Sequence, residues 1–263
     1  MSLTPPAVLS FAASDPTGGA GLQADLLTIA SLGCHPLSVL TALTAQDTSG
    51  VDSLLALEPD WIARQARCVL ADIPVAAFKL GVLGSARNVA AVAAILAGHS
   101  RTPMVLDPVL ASGRGDPLSD SETVEALRAV LFPLTTILTP NSIEVRRLAL
   151  AAPDAALADC AGELVRKGCR HVLITGTHEP GAKVVNTLYD ASGVVRQDRW
   201  PRLPGSFHGS GCTLASALAA FLAKGMAVPE AARLAQEYTW KTLESGFAPG
   251  HGQRLPDRFF KTR

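Results

Sequence analysis

The sequence lacks the features that mark membrane, secreted and nucleic-acid-binding proteins. Its 23 Lys and Arg residues balance its 23 Asp and Glu residues, so no global field attracts a polyanion. No run of about 18 apolar residues is present, which excludes a transmembrane helix. No basic segment precedes the apolar run 7–13, which is too short for a secretion signal. The sequence therefore predicts a cytoplasmic protein without a nucleic-acid or membrane partner, in which any anion site is local.

Cysteine is sparse and irregularly spaced. The five cysteines are an odd number and include no CxxC pair, which argues against a disulfide framework and against a structural zinc site. They lie at positions 34, 68, 160, 169 and 212. This usage fits a reducing cytoplasm.

The common nucleotide-binding motifs are also missing. The glycine-rich segment 14–25 matches neither the dinucleotide fingerprint nor the Walker A phosphate loop, which needs Gly-Lys-Ser/Thr. The chain shows no internal repeat, low-complexity segment or interdomain linker. Its 263 residues, of which 48% are hydrophobic, predict a single domain over 1–263 with the tail after about residue 252 loosely held.

Short apolar runs alternate with longer amphipathic stretches, which indicates a mainly parallel sheet with helices on both faces. The predicted strands are 8–12, 37–43, 76–80, 104–106, 136–138 and 172–175, and the predicted helices are 20–32, 60–70, 86–97, 121–131, 155–167, 214–223 and 229–244. Segments 183–189 and 194–200 flank a short turn and predict an antiparallel edge hairpin. The ligand crevice of such a sheet lies at the carboxyl ends of its strands.

The most informative motif is His208-Gly209-Ser210-Gly211-Cys212-Thr213, which opens into an apolar helical run. Glycines allow close backbone approach, and the free amides of a first helical turn face an anion with the helix dipole behind them. The motif predicts a phosphate site in which the Cys212 thiolate is favoured, as a base or an anion-sensing group. The simpler interpretation is a tight turn followed by a packed cysteine, with His208 as a loop hydrogen-bonder.

Polar side chains follow three of the predicted strands. Gln46 suits the edge of an aminopyrimidine, although it could instead satisfy loop backbone. Asp107 and Glu144 offer carboxylate oxygens, which Mg²⁺ binds together with phosphate and water. Asn141 and Glu144 also form a capping-box pattern, which is compatible with metal binding. Asp25, one turn inside the first helix, could face solvent or support the positive end of the helix dipole.

Six blocks closely resemble the hydroxymethylpyrimidine/phosphomethylpyrimidine kinases of thiamine biosynthesis, in order and over nearly the whole chain. The blocks are Ser14 to Asp25, the run ending at Gln46, Lys79-Leu80-Gly81-Val82-Leu83, Leu106-Asp107-Pro108-Val109, Thr139 to Glu144 and His208 to Thr213. The resemblance implies a ribokinase-like three-layer α/β/α fold with no separate lid domain, ATP as co-substrate, Mg²⁺ and a cytoplasmic homodimer. The implied activity is phosphorylation of 4-amino-5-hydroxymethyl-2-methylpyrimidine to its monophosphate and then to the diphosphate.

The resemblance also implies roles for individual residues. Those implied to bind the pyrimidine are Gln46, Asp25, Gly21, Leu83 and Val109. Those implied to bind the nucleotide are Asn141, Glu144, Thr175 and Ser210, with Glu144 and Asp107 holding Mg²⁺ partly through water. Gly209, Gly211 and Cys212 are the implied catalytic residues, forming an anion hole with Cys212 where sugar-kinase relatives carry an aspartate base.

Two segments depart from the family pattern. Many relatives carry a lysine in a Lys-Gly-Gly-His segment, whereas this chain has Thr175-Gly176-Thr177-His178. In the loop 111–116 relatives often have Ala-Lys-Ser-Gly-Asp. Here either Arg114 supplies the cation from a shifted position or it is an exposed loop charge.

Two other functions fit part of the pattern. A pyridoxal kinase shares the fold and phosphorylates a hydroxymethyl group on a six-membered nitrogen heterocycle. A non-catalytic pyrimidine-binding regulator on a degenerate kinase fold is the alternative from another class. Gln46 and the cysteine turn favour the pyrimidine kinase over a pyridoxal kinase. The intact Asn141, Glu144 and Gly209 argue against a non-catalytic regulator.

Overall fold

The computed structural model describes residues 4–112 and 115–262. Nine strands form one sheet in the order β3-β2-β1-β4-β5-β6-β7-β8-β9. The strands are β1 Ala7–Ser14, β2 His35–Gln46, β3 Val51–Ala56, β4 Val75–Leu80, β5 Met104–Leu106, β6 Ile137–Leu138, β7 Val172–Ile174, β8 Lys183–Asp190 and β9 Gly193–Pro201. The six strands from β2 to β7 in this order pair in parallel, and the predicted hairpin β8–β9 forms an antiparallel edge.

Helices cover both faces of the sheet. They are α1 Gly21–Ser31, α2 Pro59–Asp72, α3 Ala86–Leu96, α4 Ser121–Ala126, α5 Ser142–Leu148, α6 Leu157–Arg166, α7 Ser210–Ala223 and α8 Val228–Glu244. Helices α2 to α6 contribute to one hydrophobic core, and α1, α7 and α8 contribute to the other. This is the predicted α/β/α arrangement.

The two cores follow from the alternation of side chains along each strand. In β1, Leu9 and Phe11 belong to the first core and Val8 to the second. In β4, Phe78 belongs to the first core and Ala77 to the second. A strand covered on both faces is therefore apolar at nearly every position, which is why these strands read as continuous apolar runs.

The fold differs from expectation at one edge of the sheet, at two helices and in the tail. The predicted helix 121–131 is α-helical only to Ala126, and α5 was not among the predicted helices. Strand β3 was not predicted; it pairs antiparallel with β2 and forms the other edge of the sheet. The expectation of a loosely held tail is wrong, because Leu255, Asp257 and Arg258 are buried. The backbone of Leu255 pairs with that of Phe247, and Asp257 N–H donates to the Thr242 carbonyl. Within the described residues, no helix is both long and apolar enough to span a bilayer.

Candidate active site

A cavity of about 510 Å³ lies at the carboxyl ends of the parallel strands. Residues that follow five of these strands line it: Asp15 after β1, Val82 after β4, Asp107 after β5, Asn141 after β6 and Thr175 after β7. The start of α7 and the segment before it line another side. The site therefore lies where the sheet topology predicts a ligand crevice.

Two glycine-containing loops form part of this cavity, and we call them the first loop (Asp15–Gly21) and the second loop (Gly205–Gly209). Asp15 organises the first loop by accepting hydrogen bonds from the backbone amides of Thr17 (2.8 Å) and Ala20 (2.6 Å). His208 Nε2 of the second loop donates to Asp15 Oδ2 at 2.8 Å. Burial raises the pKa of Asp15, but these hydrogen bonds outweigh it and hold the pKa at about 2. His208 is thus a hydrogen-bonder that joins the two loops.

The two loops touch so closely that a side chain cannot fit between them. Gly209 has φ +82°, and a Cβ there would lie 1.8 Å from the Gly19 carbonyl oxygen. Gly209 is also the N-cap of α7, so the amides of Ser210, Gly211 and Cys212 follow in the first turn. Those amides have no partner within the helix. All three residues line the cavity, which gives it an anion-binding end.

One carboxylate, Asp107, stands beside this helix start. A Cβ on Gly211 would lie 3.8 Å from Asp107 Oδ2, so the carboxylate faces the turn. Asp107 Oδ2 is buried without a hydrogen-bond partner among the described residues. Burial raises the pKa of Asp107 to about 6, although the charge of Lys79 lowers it. Burial and, after it, the Asp107 carboxylate raise the pKa of Glu144 to about 7.

Glu144 and Asn141 form the predicted capping box at the start of α5. Asn141 Oδ1 accepts from Glu144 N–H at 2.9 Å, and Glu144 Oε2 accepts from Asn141 N–H at 2.9 Å. The second oxygen of Glu144 accepts from Leu110 N–H at 3.2 Å. The described residues contain no group of three or more His, Cys, Asp or Glu side chains that could hold a metal ion unaided. An unpartnered Asp107 oxygen beside a second carboxylate fits Mg²⁺, which completes its shell with phosphate and water.

Cys212 is half-buried and lines the cavity, and its thiol lies near Lys79, Asp107 and the Gly21 amide. Burial raises the pKa of the Cys212 thiol to about 12, and Asp107 and Asp25 raise it while Lys79 lowers it. The expectation of a favoured thiolate is therefore wrong. The helix start alone does not overcome the burial and the two neighbouring carboxylates.

Asp25 is buried and does not line the cavity. Its carboxylate pairs with Lys79 Nζ at 2.9 Å and accepts from Ser10 Oγ at 2.5 Å and Ser216 Oγ at 2.7 Å. Neither the solvent-facing interpretation nor a direct contact with substrate describes this geometry. Asp25 instead holds Lys79, which lies in the wall of the cavity without exposed surface.

Most of the other predicted residues meet in the cavity. The residues that line it are Gly21, Gln46, Val109, Asn141, Thr175 and Ser210. Leu83 is buried in the first core and does not line it. Gln46 makes no side-chain hydrogen bond among the described residues, so the loop-satisfying interpretation finds no support. Gly113 and Arg114 lie outside the described residues.

Several lining residues were not predicted from the sequence. Lys79 is one of them. A single lysine in the apolar strand β4 could have indicated a functional position, because a buried lysine needs a charged partner. At the far side of the cavity, Gln236 Oε1 accepts from Asn186 Nδ2 and Trp200 Nε1, each at 3.0 Å. Trp200 stacks on Trp240 with 6.4 Å between ring centroids. This apolar and amide-rich wall had no sequence motif to reveal it.

Comparison with known proteins agrees with this geometry. The family model described as phosphomethylpyrimidine kinase matches residues 15–257. A Streptomyces coelicolor hydroxymethylpyrimidine/phosphomethylpyrimidine kinase is 44% identical over 256 residues, which cover 95% of this chain and 93% of the relative.

Solved structures share the fold. Phosphomethylpyrimidine kinase of Clostridium difficile superposes with a TM-score of 0.79 at 32% identity, covering 90% of this chain and 99% of its own. Staphylococcus aureus pyridoxal kinase in complex with AMP-PCP and pyridoxal gives a TM-score of 0.88 at 27% identity, covering 99% and 96%. With its matching blocks, its ribokinase-like sheet and this extent of identity, the chain belongs to the phosphomethylpyrimidine kinase family.

Proposed function

We propose that this chain transfers the γ-phosphoryl group of ATP to the hydroxymethyl oxygen of 4-amino-5-hydroxymethyl-2-methylpyrimidine, and then phosphorylates the monophosphate to the diphosphate. In the first step the substrate oxygen forms a bond to the γ-phosphorus, the bond from that phosphorus to the β–γ bridging oxygen breaks, and ADP and the hydroxyl proton leave. The second step repeats the transfer on a phosphate oxygen. The family membership and the 44% identical kinase support this assignment.

The proposal depends mainly on one observation: the Gln46 side-chain amide and the anion hole at Gly209–Cys212 lie in the same cavity. The Gln46 side chain makes no hydrogen bond to the described protein. An unpaired amide can both donate to a ring nitrogen and accept from an exocyclic amine of an aminopyrimidine. Gly21 and Val109 complete the substrate end as lining residues.

The helix start supplies the electrostatic part of the reaction. The amides of Ser210, Gly211 and Cys212 would bind the transferring phosphoryl oxygens, which carry the charge in a loose transition state. Asp107 and Glu144 would hold Mg²⁺, partly through water, and the bound ion would neutralise phosphate charge. Asn141 orients Glu144 through the capping box.

The role of Cys212 follows from its environment. A neutral thiol is cheaper to bury beside phosphate than a fixed carboxylate, and the second substrate is already anionic. In the first step Cys212 acts as a base only as the thiolate. The thiol first releases its proton to solvent, and the thiolate then takes the proton of the substrate hydroxyl, which restores the thiol. In the second step the attacking oxygen is ionised already, so Cys212 matters less.

The nucleotide is assigned to the remaining wall of the cavity. Thr175, Ser210 and Asn141 line the cavity and would contact the phosphates. Trp200 and Trp240 also line it and offer apolar ring surface. Thr175 replaces the lysine of many relatives, and its hydroxyl is the polar group left for a phosphate oxygen. The nucleotide analogue AMP-PCP in the Staphylococcus aureus structure supports ATP as the co-substrate.

Pyridoxal kinase is the second candidate, and the higher TM-score of the Staphylococcus aureus enzyme favours it. Backbone similarity reports the shared fold, whereas the residues that meet the substrate decide specificity. Identity is higher to the pyrimidine kinases, at 44% and 32% against 27%. The pyrimidine is therefore the preferred substrate in our proposal.

The test is turnover by purified protein with ATP and Mg²⁺ on the hydroxymethylpyrimidine and on pyridoxal, with mono- and diphosphate products resolved. We expect pyrimidine diphosphate, with Cys212→Ala slowing the first step more than the second. Cys68→Ala is the matched control, because Cys68 is exposed on α2. Absence of phosphorylated pyrimidine from folded parent protein rejects the assignment, and phosphorylated pyridoxal alone establishes the second candidate.

The assembly and location of the enzyme are also proposals. The family resemblance supports a homodimer, which light scattering on the purified protein tests. The five free cysteines support a reducing cytoplasm. Localisation of a tagged chain in its host checks that assignment.

A further inference from the structure

A buried positive charge lies behind the active site, at a position one residue past the family-model match. Arg258 is only 4% exposed. Its Nη2 donates to the Gly19 carbonyl at 2.5 Å, its Nη1 to the Gly18 carbonyl at 3.3 Å and its Nε to Thr213 Oγ1 at 3.2 Å. One guanidinium thus contacts the first loop and the beginning of α7.

The contact continues from Thr213 to the second loop. Thr213 Oγ1 accepts from Arg258 and donates to the Gly209 carbonyl at 2.8 Å. Gly209 is the residue that packs against Gly19 without room for a Cβ. Arg258 therefore reaches both sides of the close contact that shapes the anion hole.

The acceptors of this guanidinium are neutral. No described carboxylate forms an ion pair with Arg258, and its three hydrogen-bond acceptors are two carbonyls and a hydroxyl. Burial lowers the pKa of Arg258, while Cys212, Tyr238 and nearby aspartates raise it. A guanidinium stays charged in proteins, so its charge remains to attract an anion bound at the start of α7.

The segment that carries Arg258 is anchored without the guanidinium. Tyr238 Oη of α8 donates to the Arg258 carbonyl at 2.9 Å and lies 2.6 Å from Ser31 Oγ. Asp257 N–H donates to the Thr242 carbonyl at 2.9 Å. Changing the Arg258 side chain therefore leaves these anchors of the segment in place.

We propose that Arg258 is a positioning residue of the phosphoryl-transfer site, whose guanidinium ties the first loop to the start of α7 and places a positive charge behind the anion hole. The inference rests on the proposed function for its kinetic part, but the tie between the loops is independent of the substrate. A guanidinium holds several acceptors at once through a rigid planar fork, whereas a lysine presents its three donors from a single nitrogen on a flexible stem and cannot span the same positions.

The experiment compares the full-length parent with Arg258→Gln, Arg258→Lys and the control Lys261→Gln, which removes a positive charge from an exposed position of the same segment. The first measurement is amide hydrogen exchange at residues 16–21 and 210–213, with thermal unfolding to establish that each variant is folded. The second is kcat and KM for the pyrimidine at saturating ATP and Mg²⁺.

We expect faster exchange at both segments in Arg258→Gln, and a kcat lower by about 10- to 100-fold, the size of effect that small misplacement produces. The KM for the pyrimidine should change little. Arg258→Lys should recover part of the kcat, since it keeps the charge but not the fork, and Lys261→Gln should match the parent.

Parent-like exchange in folded Arg258→Gln overturns the proposal, and so does a loss of kcat that Lys261→Gln shares. If the parent itself does not phosphorylate the pyrimidine, the proposed function fails. Faster exchange confined to the Arg258 variants would then still support the tie between the loops.

Discussion

Lys79 Nζ lies 2.9 Å from the Asp25 carboxylate, and neither side chain has any exposed surface. The pair joins β4 to α1 beneath the cavity, and Ser216 adds a contact from α7. Desolvation lowers the pKa of Lys79, but Asp25 and the neighbouring Cys212 and Asp107 raise it above its ordinary value. The ammonium is therefore charged, and the carboxylate is its counterion.

Breaking this pair should destabilise the fold. We expect Asp25→Asn and Lys79→Met each to lower the free energy of unfolding by about 3–5 kcal/mol, because each leaves an uncompensated buried group. The double variant should lose less than the sum of the two. Urea unfolding of the four proteins measures this coupling, and additive losses would show that the two side chains do not depend on each other.

Gly209 should be intolerant of a side chain for a reason beyond its backbone conformation. Gly209 and Gly225 lie at the two ends of α7 with φ +82° and +80°, but a Cβ at Gly225 meets nothing within 4 Å. Both alanine variants carry the left-handed cost of about 1–2 kcal/mol. Only Gly209→Ala displaces the loops, so its kcat should fall by about two orders of magnitude, while Gly225→Ala keeps parent kcat. Equal kcat in the two folded variants would contradict this expectation.

The capping box and the metal role of Glu144 can be separated by substitution. Glu144→Gln removes the charge and keeps one oxygen, so Asn141 N–H retains its acceptor while Leu110 N–H loses its own. The Mg²⁺ concentration needed for half-maximal rate should rise, and the unpaired amide should cost about 1 kcal/mol of stability. Asn141→Ala should also cost about 1 kcal/mol of stability, through the lost cap, but it keeps the Glu144 charge. Glu122→Gln, at an exposed helix position, is the control for removal of one charge. An unchanged Mg²⁺ requirement in Glu144→Gln would remove Glu144 from the metal site.

Asp15 should make stability depend on pH in the acid range. Its pKa of about 2 in the folded protein lies below the ordinary value of 3.8, so the stabilisation is present above pH 4 and is lost as the pH falls towards 2. The shift corresponds to about 2 kcal/mol. Asp15→Asn should lower the free energy of unfolding at pH 5 and flatten its decline towards pH 3, as measured by urea unfolding. If the free energy of unfolding of Asp15→Asn falls with pH as steeply as that of the parent, other carboxylates cause the decline.

The parts of the fold that were predictable are those in which one sequence period dominates. Strands β1, β4 and β5 are buried on both faces and appear as apolar runs, and the hairpin β8–β9 is marked by its turn. Strand β3, with the sequence VDSLLA, is half exposed at the sheet edge and carries no such run. Strand β3 forms because it pairs with β2, not because its own residues alternate or form an apolar run. The sequence therefore did not predict this strand.

The candidate site divides in the same way. By itself the sequence determined the chemical groups at the strand ends: Gln46, Asp107, Asn141 with Glu144, and the glycine turn before Cys212. Each could be predicted because it follows a strand or begins a helix. In a parallel sheet such positions lie close together at the carboxyl ends of the strands.

Only the tertiary structure decided what those groups do to one another. The partner of Asp25 lies 54 residues away in β4, and Arg258 meets the first loop across 239 residues. The protonation of Cys212 depends on burial and on two carboxylates from other elements. Burial and charge pairing are properties of the packed chain, since they arise from atoms that no local pattern brings together.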